Sequence, residues 1–203
     1  MQHKTFSTVF DMIRQWNITI KIRDDMFRIS CYHQNMKCAN PIDPQSDLYR
    51  DFRDALTPIA RLAWDTAVET GLRVSDVLQI RPDMLRPRMP ICERKTGKWR
   101  IVTLSPELIR RLWASGDIKN SPWCFPSATD PMKPMSRDTL GAMLRRVNDR
   151  VAPQYTLSMH SARKIYALNL YRRTGDYSAV QRDLQHEHLS TTLLYIHAAP
   201  MAR

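Results

Sequence analysis

The sequence is poor in glycine and cysteine, and it contains no long apolar run. Five glycines in 203 residues, with 43% hydrophobic and 25% charged residues, exclude a fibrous repeat and a disordered tail protein. Four cysteines fit reduced thiols and exclude a disulfide scaffold. No stretch is long enough to span a membrane, and the first residues lack the apolar core of a signal peptide. We therefore predict a soluble cytoplasmic protein, nucleoid-associated if bacterial.

Acidic residues are also scarce relative to basic ones. The chain has 31 Lys and Arg against 20 Asp and Glu, a formal net charge of +11. The excess lies in two segments: residues 86–111 hold eight bases and two acids, and residues 133–173 hold nine bases and two acids. Arginine supplies 23 of the bases, and it binds phosphate through two parallel hydrogen bonds. This pattern is expected of a polyanion-binding protein, although a solvated basic face without a partner fits composition alone equally well.

The length allows one good-sized domain with a small appendage. Residues 1–45 read as an N-terminal appendage with a short helix over 6–16 and a β-hairpin over 18–31, followed by a Pro-rich connector at 40–44. Residues 46–203 read as the main domain, mainly α with a small β-hairpin (α+β). Its predicted hairpin covers Pro90–Leu104, with a turn at Lys95–Lys98. Its predicted helices are Pro58–Thr70, Ser75–Ile80, a helix opened by Ser105-Pro106, Ser136–Val151, His160–Thr174, 177–185 and 189–196.

Four short segments of the main domain carry residues suited to phosphate chemistry. They are ETGLRVSD at 69–76, KTGKWRIVTL at 95–104, HSAR at 160–163 and LQHEHLSTTLLYIH at 184–197. Each alone has an ordinary explanation, such as a local ion pair between Arg73 and Asp76 or a solvated turn lysine at Lys95. In this order and spacing they resemble the four motif boxes of the tyrosine recombinases, also called phage integrases. The resemblance covers about residues 47–197 and implies a tyrosine-recombinase-like catalytic domain.

The resemblance implies a site-specific recombinase or integrase that cuts and rejoins DNA through a 3′-phosphotyrosyl intermediate. Breaking a phosphodiester needs a nucleophile, positively charged groups that stabilise the negative charge on the non-bridging oxygens, and a proton for the leaving oxygen. No metal or other cofactor is implied, because lysine and arginine supply the positive charge. The implied roles are Tyr195 as nucleophile, Arg73 and Arg163 as phosphate ligands, Lys95 as general acid, His160 as acceptor of the tyrosine proton, His186 as hydrogen-bond donor to phosphate, and Asp76 as the carboxylate that orients Arg73.

Some positions depart from the family pattern. Gln185 stands where the family usually has glycine, Thr103 replaces a proline, and Ser161-Ala162 replaces an acidic-Leu pair. About 46 residues precede the resemblance, and their hairpin pattern does not resemble the helical core-binding domain of most relatives. Short recombinases such as the fimbrial-switch enzymes also lack that domain. Eight residues follow Tyr195, fewer than the further C-terminal helix of many relatives needs.

The expected partner is double-stranded DNA, with no membrane partner. We expect a monomer in solution, and recombination that needs a tetramer on paired DNA sites or an accessory DNA-bending protein. One alternative is a type IB topoisomerase-like enzyme, because that class resembles the recombinases in its set of Arg, Lys, Arg, His and Tyr. The other is a non-catalytic DNA-binding regulator on the same fold. The S-T-T-x-x-Y box favours a recombinase, and a regulator has no need of both Lys95 and Tyr195. Cys31, His33 and Cys38 do not have standard zinc-finger spacing, so no metal site is predicted.

Overall fold

Helices form most of the structure, a computed structural model that describes residues 19–23, 26–30, 39, 42–115 and 120–197. The strands are β1 (Thr19–Arg23), β2 (Met26–Ser30), β3 (Arg88–Cys92) and β4 (Trp99–Thr103). The helices are α1 (Asp47–Asp54), α2 (Pro58–Thr70), α3 (Val74–Val77), α4 (Pro106–Ala114), α5 (Arg137–Val151), α6 (Met159–Thr174), α7 (Tyr177–Leu184) and α8 (Leu189–His197). The predicted mainly α fold is confirmed. Within these described residues, no helix combines the length and apolar character needed to cross a bilayer.

Short local signals set the helix ends. Pro58 stands in the first turn of α2 after Thr57, and the Ser105 hydroxyl accepts the Leu108 N–H at 3.1 Å to cap α4. At the other end of α2, Gly71 adopts a left-handed conformation with φ 66°. A Cβ at Gly71 would lie 2.4 Å from Cδ1 of Tyr166 on α6. Glycine is therefore needed at this turn both for its backbone and for the close approach of α6.

Two antiparallel hairpins contain the described strands. In the first, Thr19 pairs with Ser30, within the segment 18–31 where the sequence predicts a hairpin. In the second, β3 pairs with β4 in the register Arg88 to Thr103, and Gly97 in the turn has φ 66°. The helix predicted over 6–16, and the cysteine and histidine positions at 31–38, lie outside the described residues.

The core consists of two clusters of buried side chains. The larger surrounds α2, where Trp64 is fully buried against Phe52 with ring centroids 4.9 Å apart. The smaller contains side chains of α6, α7 and α8, including Leu168, Val180 and Tyr195. Helices α2 and α6 pack against each other. The residues that follow α2 and those that begin α6 are thereby brought together.

One helix is shorter than the sequence predicted. The helix predicted over 75–80 is only the single turn of α3, because Gln79 and Ile80 continue as i→i+3 turns and Pro82 disfavours helical backbone at Arg81. In the described part of the connector, residues 42–44, Ile42 is buried in the larger cluster of the main domain. The division of the chain at residue 45 stays a prediction.

Candidate active site

Six of the seven predicted site residues line one open cleft of about 1040 Å³. Each stands at the end of an element or in a turn. Arg73 immediately precedes α3, Lys95 lies in the β3–β4 turn, His160 and Arg163 belong to the first turn and a half of α6, His186 follows α7, and Tyr195 lies on α8.

Tyr195 is paired with His160 at the cleft. The Tyr195 hydroxyl lies 2.7 Å from His160 Nε2, and the two rings meet edge to face with centroids 5.1 Å apart. Burial raises the pKa of Tyr195, while the charges of Arg163 and Arg73 oppose that shift. The phenol is therefore protonated near neutral pH, and its reaction as a nucleophile needs a base.

His160 is suited to be that base because it is neutral. Loss of water around the ring lowers the pKa of His160 to about 4, and the charges of Lys164, Arg163 and Arg73 act in the same direction. His160 is an exposed residue, so its ring keeps part of its water, and the charges of the nearby cations favour the uncharged form independently of burial. At neutral pH one ring nitrogen of His160 is consequently free of a proton and can accept the one on Tyr195.

Arg163 is buried between two backbone carbonyls. Its side chain donates to the carbonyl oxygen of Gly71, at the end of α2, and to that of Leu184 at 2.7 Å, at the end of α7. Burial, followed by the charge of Arg73, lowers the pKa of Arg163 to about 10, so the guanidinium stays positive at neutral pH. The two carbonyls hold a fixed positive charge at the wall of the cleft.

The carboxylate beside Arg73 belongs to Glu93, which sequence reasoning missed. Glu93 is fully buried, forms an ion pair with Arg73, and has Oε1 3.4 Å from Nε of Arg100 on β4. The sequence held one signal for this ion pair. Glu93 stands two positions before Lys95, in the basic segment 86–111, which holds only one other acid.

The expectation that Asp76 contacts Arg73 is corrected. Asp76 Oδ1 accepts the backbone N–H of Arg94 at 3.0 Å, which fastens the start of the hairpin turn. Arg73 precedes α3 with extended backbone at φ −71° and ψ 153°. It therefore does not share a helical face with Asp76, as a pair three residues apart inside a helix would.

His186 is held by a residue of the last motif. Its Nδ1 lies 2.9 Å from the hydroxyl of Thr192, which is fully buried, and its ring meets Tyr195 edge to face with centroids 4.8 Å apart. Burial lowers the pKa of His186 to about 4, and the charges of Arg163, Arg73 and His160 add to the shift. Because Nδ1 faces Thr192, Nε2 is the nitrogen of the neutral His186 ring that remains to contact a ligand.

The cleft is lined mainly by basic and imidazole side chains, so it is suited to an anion. In the parts of the chain that the structure covers, no group of three or more His, Cys, Asp or Glu side chains could hold a metal ion. The arrangement offers a phenol, a neutral acceptor for its proton, two guanidinium groups and a lysine on a turn.

Comparison with known proteins gives a consistent family match. The family model described as "Phage integrase family" matches residues 49–201. Tyrosine recombinase XerD of Rhizobium meliloti (strain 1021) is 34% identical over 139 residues, which are 63% of this chain and 43% of that protein. Tyrosine recombinase XerD of Staphylococcus aureus (strain Mu50 / ATCC 700699) is 28% identical over 138 residues, 64% of this chain and 47% of that protein. The chain thus spans less than half the length of these two relatives.

Solved structures share the fold. A XerH site-specific recombinase bound to palindromic difH substrate superposes with a TM-score of 0.65 at 20% identity, covering 80% of this chain and 50% of that one. A lambda integrase (75-356) dimer bound to a COC′ core site superposes with a TM-score of 0.64 at 17% identity, covering 86% of this chain and 64% of that one.

Proposed function

The chain belongs to the phage integrase family, and from that premise we propose that it is a site-specific DNA recombinase that cuts and rejoins DNA strands. The observation that carries the proposal is the 2.7 Å contact between the Tyr195 hydroxyl and His160 Nε2 in a cleft lined by basic side chains. A nucleophile within hydrogen-bond reach of a base is the arrangement that covalent catalysis requires.

In the proposed reaction, the Tyr195 oxygen attacks a DNA phosphorus atom while its proton passes to His160 Nε2. A bond forms between the tyrosine oxygen and phosphorus, and the bond between phosphorus and the 5′ oxygen breaks. Lys95 gives a proton to the leaving 5′ oxygen. The product is a 3′-phosphotyrosyl link with a free 5′ hydroxyl, and attack by a second 5′ hydroxyl reverses the steps and rejoins a strand without ATP.

The remaining site residues stabilise the charge that develops on the phosphate. Arg73 and Arg163 are proposed to bind the two non-bridging oxygens, because guanidinium groups keep their charge and donate in a planar fork. His186 is proposed to donate from Nε2: when the Thr192 hydroxyl donates to Nδ1, the neutral ring carries its proton on Nε2. Asp76 then has a supporting role through the hairpin rather than through Arg73.

The proposed partner is double-stranded DNA. The basic segments at 86–111 and 133–173 supply side chains for phosphate contacts, and Arg145, Arg146 and Arg150 on α5 are exposed. Among proteins of similar fold, one lambda integrase is described as a tetramer bound to a Holliday junction. We extend that assembly to this chain as a tetramer on paired DNA sites that forms from monomers, with an accessory DNA-bending protein where the sites must be brought together.

The test is covalent capture of DNA. The protein is incubated with labelled nicked duplexes of randomised sequence, and adducts are separated on a denaturing gel and sequenced. We expect an adduct with the natural protein, none with Tyr195→Phe, and an undiminished amount with the control Tyr177→Phe, which alters a tyrosine stacked on Tyr171 outside the cleft. An adduct that persists in Tyr195→Phe would refute the assignment of the nucleophile.

Two further assays, plasmid relaxation and a native gel shift, separate the alternatives. A type IB topoisomerase would relax supercoiled plasmids that lack the captured sequence, and a DNA-binding regulator would shift the duplex on a native gel without forming an adduct. Absence of any adduct from the natural protein would overturn the proposed function.

A further inference from the structure

Gln185 has an unusual backbone conformation next to the proposed active site. It ends α7 with φ 53° and ψ 40°. Among the residues that the structure describes, it is the only one other than glycine with a positive φ. The left-handed region is strained for a residue with a Cβ and free of strain for glycine. Such strain persists where surrounding contacts hold it, and it is often found at functional sites.

The side chain of Gln185 contacts the turn that carries Lys95. The Thr96 hydroxyl donates to Gln185 Oε1 at 3.3 Å, and Glu93 Oε2 is a second, more distant acceptor for the same hydroxyl at 3.5 Å. Thr96 directly follows Lys95, and Gln185 directly precedes His186. This hydrogen bond therefore joins the turn between β3 and β4 to the connection between α7 and α8, two parts of the fold that lie 89 residues apart in sequence.

The other hydrogen bonds of the turn have different effects. Within the hairpin, the Gly97 N–H donates to the Glu93 carbonyl at 2.7 Å and the Glu93 N–H to the Lys98 carbonyl at 3.0 Å. These bonds set the shape of the turn, but they do not set its distance from Tyr195. At the base of the turn, the Arg94 N–H donates to Asp76 Oδ1 and Glu93 pairs with Arg73, so the base is fixed against α3. Residues 94–98 are all exposed, so packing does not fix the distance of the tip of the turn from Tyr195.

We propose that Gln185 is a positioning residue that holds the β3–β4 turn, and with it Lys95, over the cleft that contains Tyr195. The inference rests on the proposed function, since it concerns delivery of a proton by Lys95 to the leaving oxygen. A glycine in place of Gln185 would relieve the backbone but would leave the turn without this contact.

The experiment measures single-turnover cleavage of the duplex recovered by covalent capture. One substrate has oxygen at the 5′ bridging position and the other has sulfur, which leaves without needing a proton. Lys95→Ala is the reference: we expect it to lose about a hundredfold or more on the oxygen substrate and little on the sulfur substrate. The positioning variant is Gln185→Gly, which replaces a strained residue with one that favours the conformation, so its melting temperature should be unchanged or higher.

Gln185→Gly should slow cleavage of the oxygen substrate by about threefold to tenfold, the value of one uncharged hydrogen bond. On the sulfur substrate it should react at the natural rate, which a general loss of structure would not allow. Thr96→Val, which also removes the contact of the hydroxyl with Glu93, should show the same selectivity with a loss at least as large. Thr96→Ser, which keeps the hydroxyl, should recover most of the rate. Because the two residues share one contact, the loss in the double variant should be smaller than the product of the single losses.

Each outcome decides between the two proposals. Equal rates for Gln185→Gly and the natural protein on the oxygen substrate would overturn the positioning role and leave the recombinase function standing. Equal slowing on both substrates, or multiplicative losses in the double variant, would also overturn it. Failure of the natural protein to cleave either substrate would instead overturn the proposed function.

Discussion

Replacing Glu93 by glutamine is expected to destabilise the folded protein without changing its shape. The Glu93 carboxylate is fully buried between Arg73, whose side chain is 22% exposed, and Arg100, whose side chain is 8% exposed. Glutamine has nearly the same volume but no charge. The substitution therefore leaves two largely buried guanidinium groups without their shared counter-ion.

The size of the effect follows from these exposures. Removing one partner of a buried ion pair costs about 3–5 kcal/mol, because the remaining charge is left unpaired. Arg73 recovers part of this loss through water, and Arg100 has a second carboxylate, Asp183 Oδ2, at 3.3 Å. We therefore expect a loss of about 2–3 kcal/mol in the free energy of unfolding, at or below the lower end of that range. For a domain of this size that corresponds to a fall in Tm of roughly 4 to 12 °C.

Urea unfolding followed by circular dichroism measures this loss, with Glu107→Gln as the matched control. Glu107 forms an ion pair with Arg110 at 2.6 Å, but both side chains are more than half exposed, at 59% and 71%. Exposed pairs contribute about 0–1 kcal/mol, so the control should unfold almost as the natural protein does. If Glu93→Gln loses no more stability than Glu107→Gln, the reasoning that assigns Glu93 a structural charge at the cleft is refuted.

Two further predictions concern pH and salt. The pKa of His186 is lowered from 6.5 to about 4, so the unfolded chain binds more protons in that interval, and stability should fall as pH drops from about 6.5 towards 4. Thermal melts across this range should show a shallower fall for His186→Gln, and equal slopes would contradict the shift. DNA binding through six or more phosphate contacts should weaken roughly a thousandfold between about 50 and about 200 mM salt, measured by fluorescence anisotropy. Salt-resistant binding would contradict the electrostatic account of the two basic segments.

Local signals predicted most of the fold. Helix α2 begins at Pro58 and ends before Gly71 as expected, because a first-turn proline and a left-handed glycine act within a few residues. The length predicted for α3 was wrong, because the turn that ends this helix depends on Pro82 and on burial of Ile80 in the core.

The gathering of the site residues was predicted from motif order, but their partners were not. Glu93 lies 20 residues from Arg73 and reaches it only because the β3–β4 hairpin folds back on the start of α3. Gln185 was evident as a departure from glycine, yet its contact with Thr96 depends on how two distant turns meet. Contacts of this kind come from tertiary packing, on which neither composition nor periodicity carries information.

The two carbonyls that accept from Arg163 have a consequence for local opening. Gly71 follows the central helix of the larger core cluster, whereas Leu184 belongs to the smaller cluster that also contains Tyr195. Proteins open in cooperative units of different stability, and two separate clusters are natural units of this kind. Opening of the smaller unit would withdraw the tyrosine while Arg73 stays folded. Arg163 opposes that opening from the wall of the cleft, so the same guanidinium that is proposed to hold the phosphate also couples the stability of the Tyr195 unit to that of the rest of the domain.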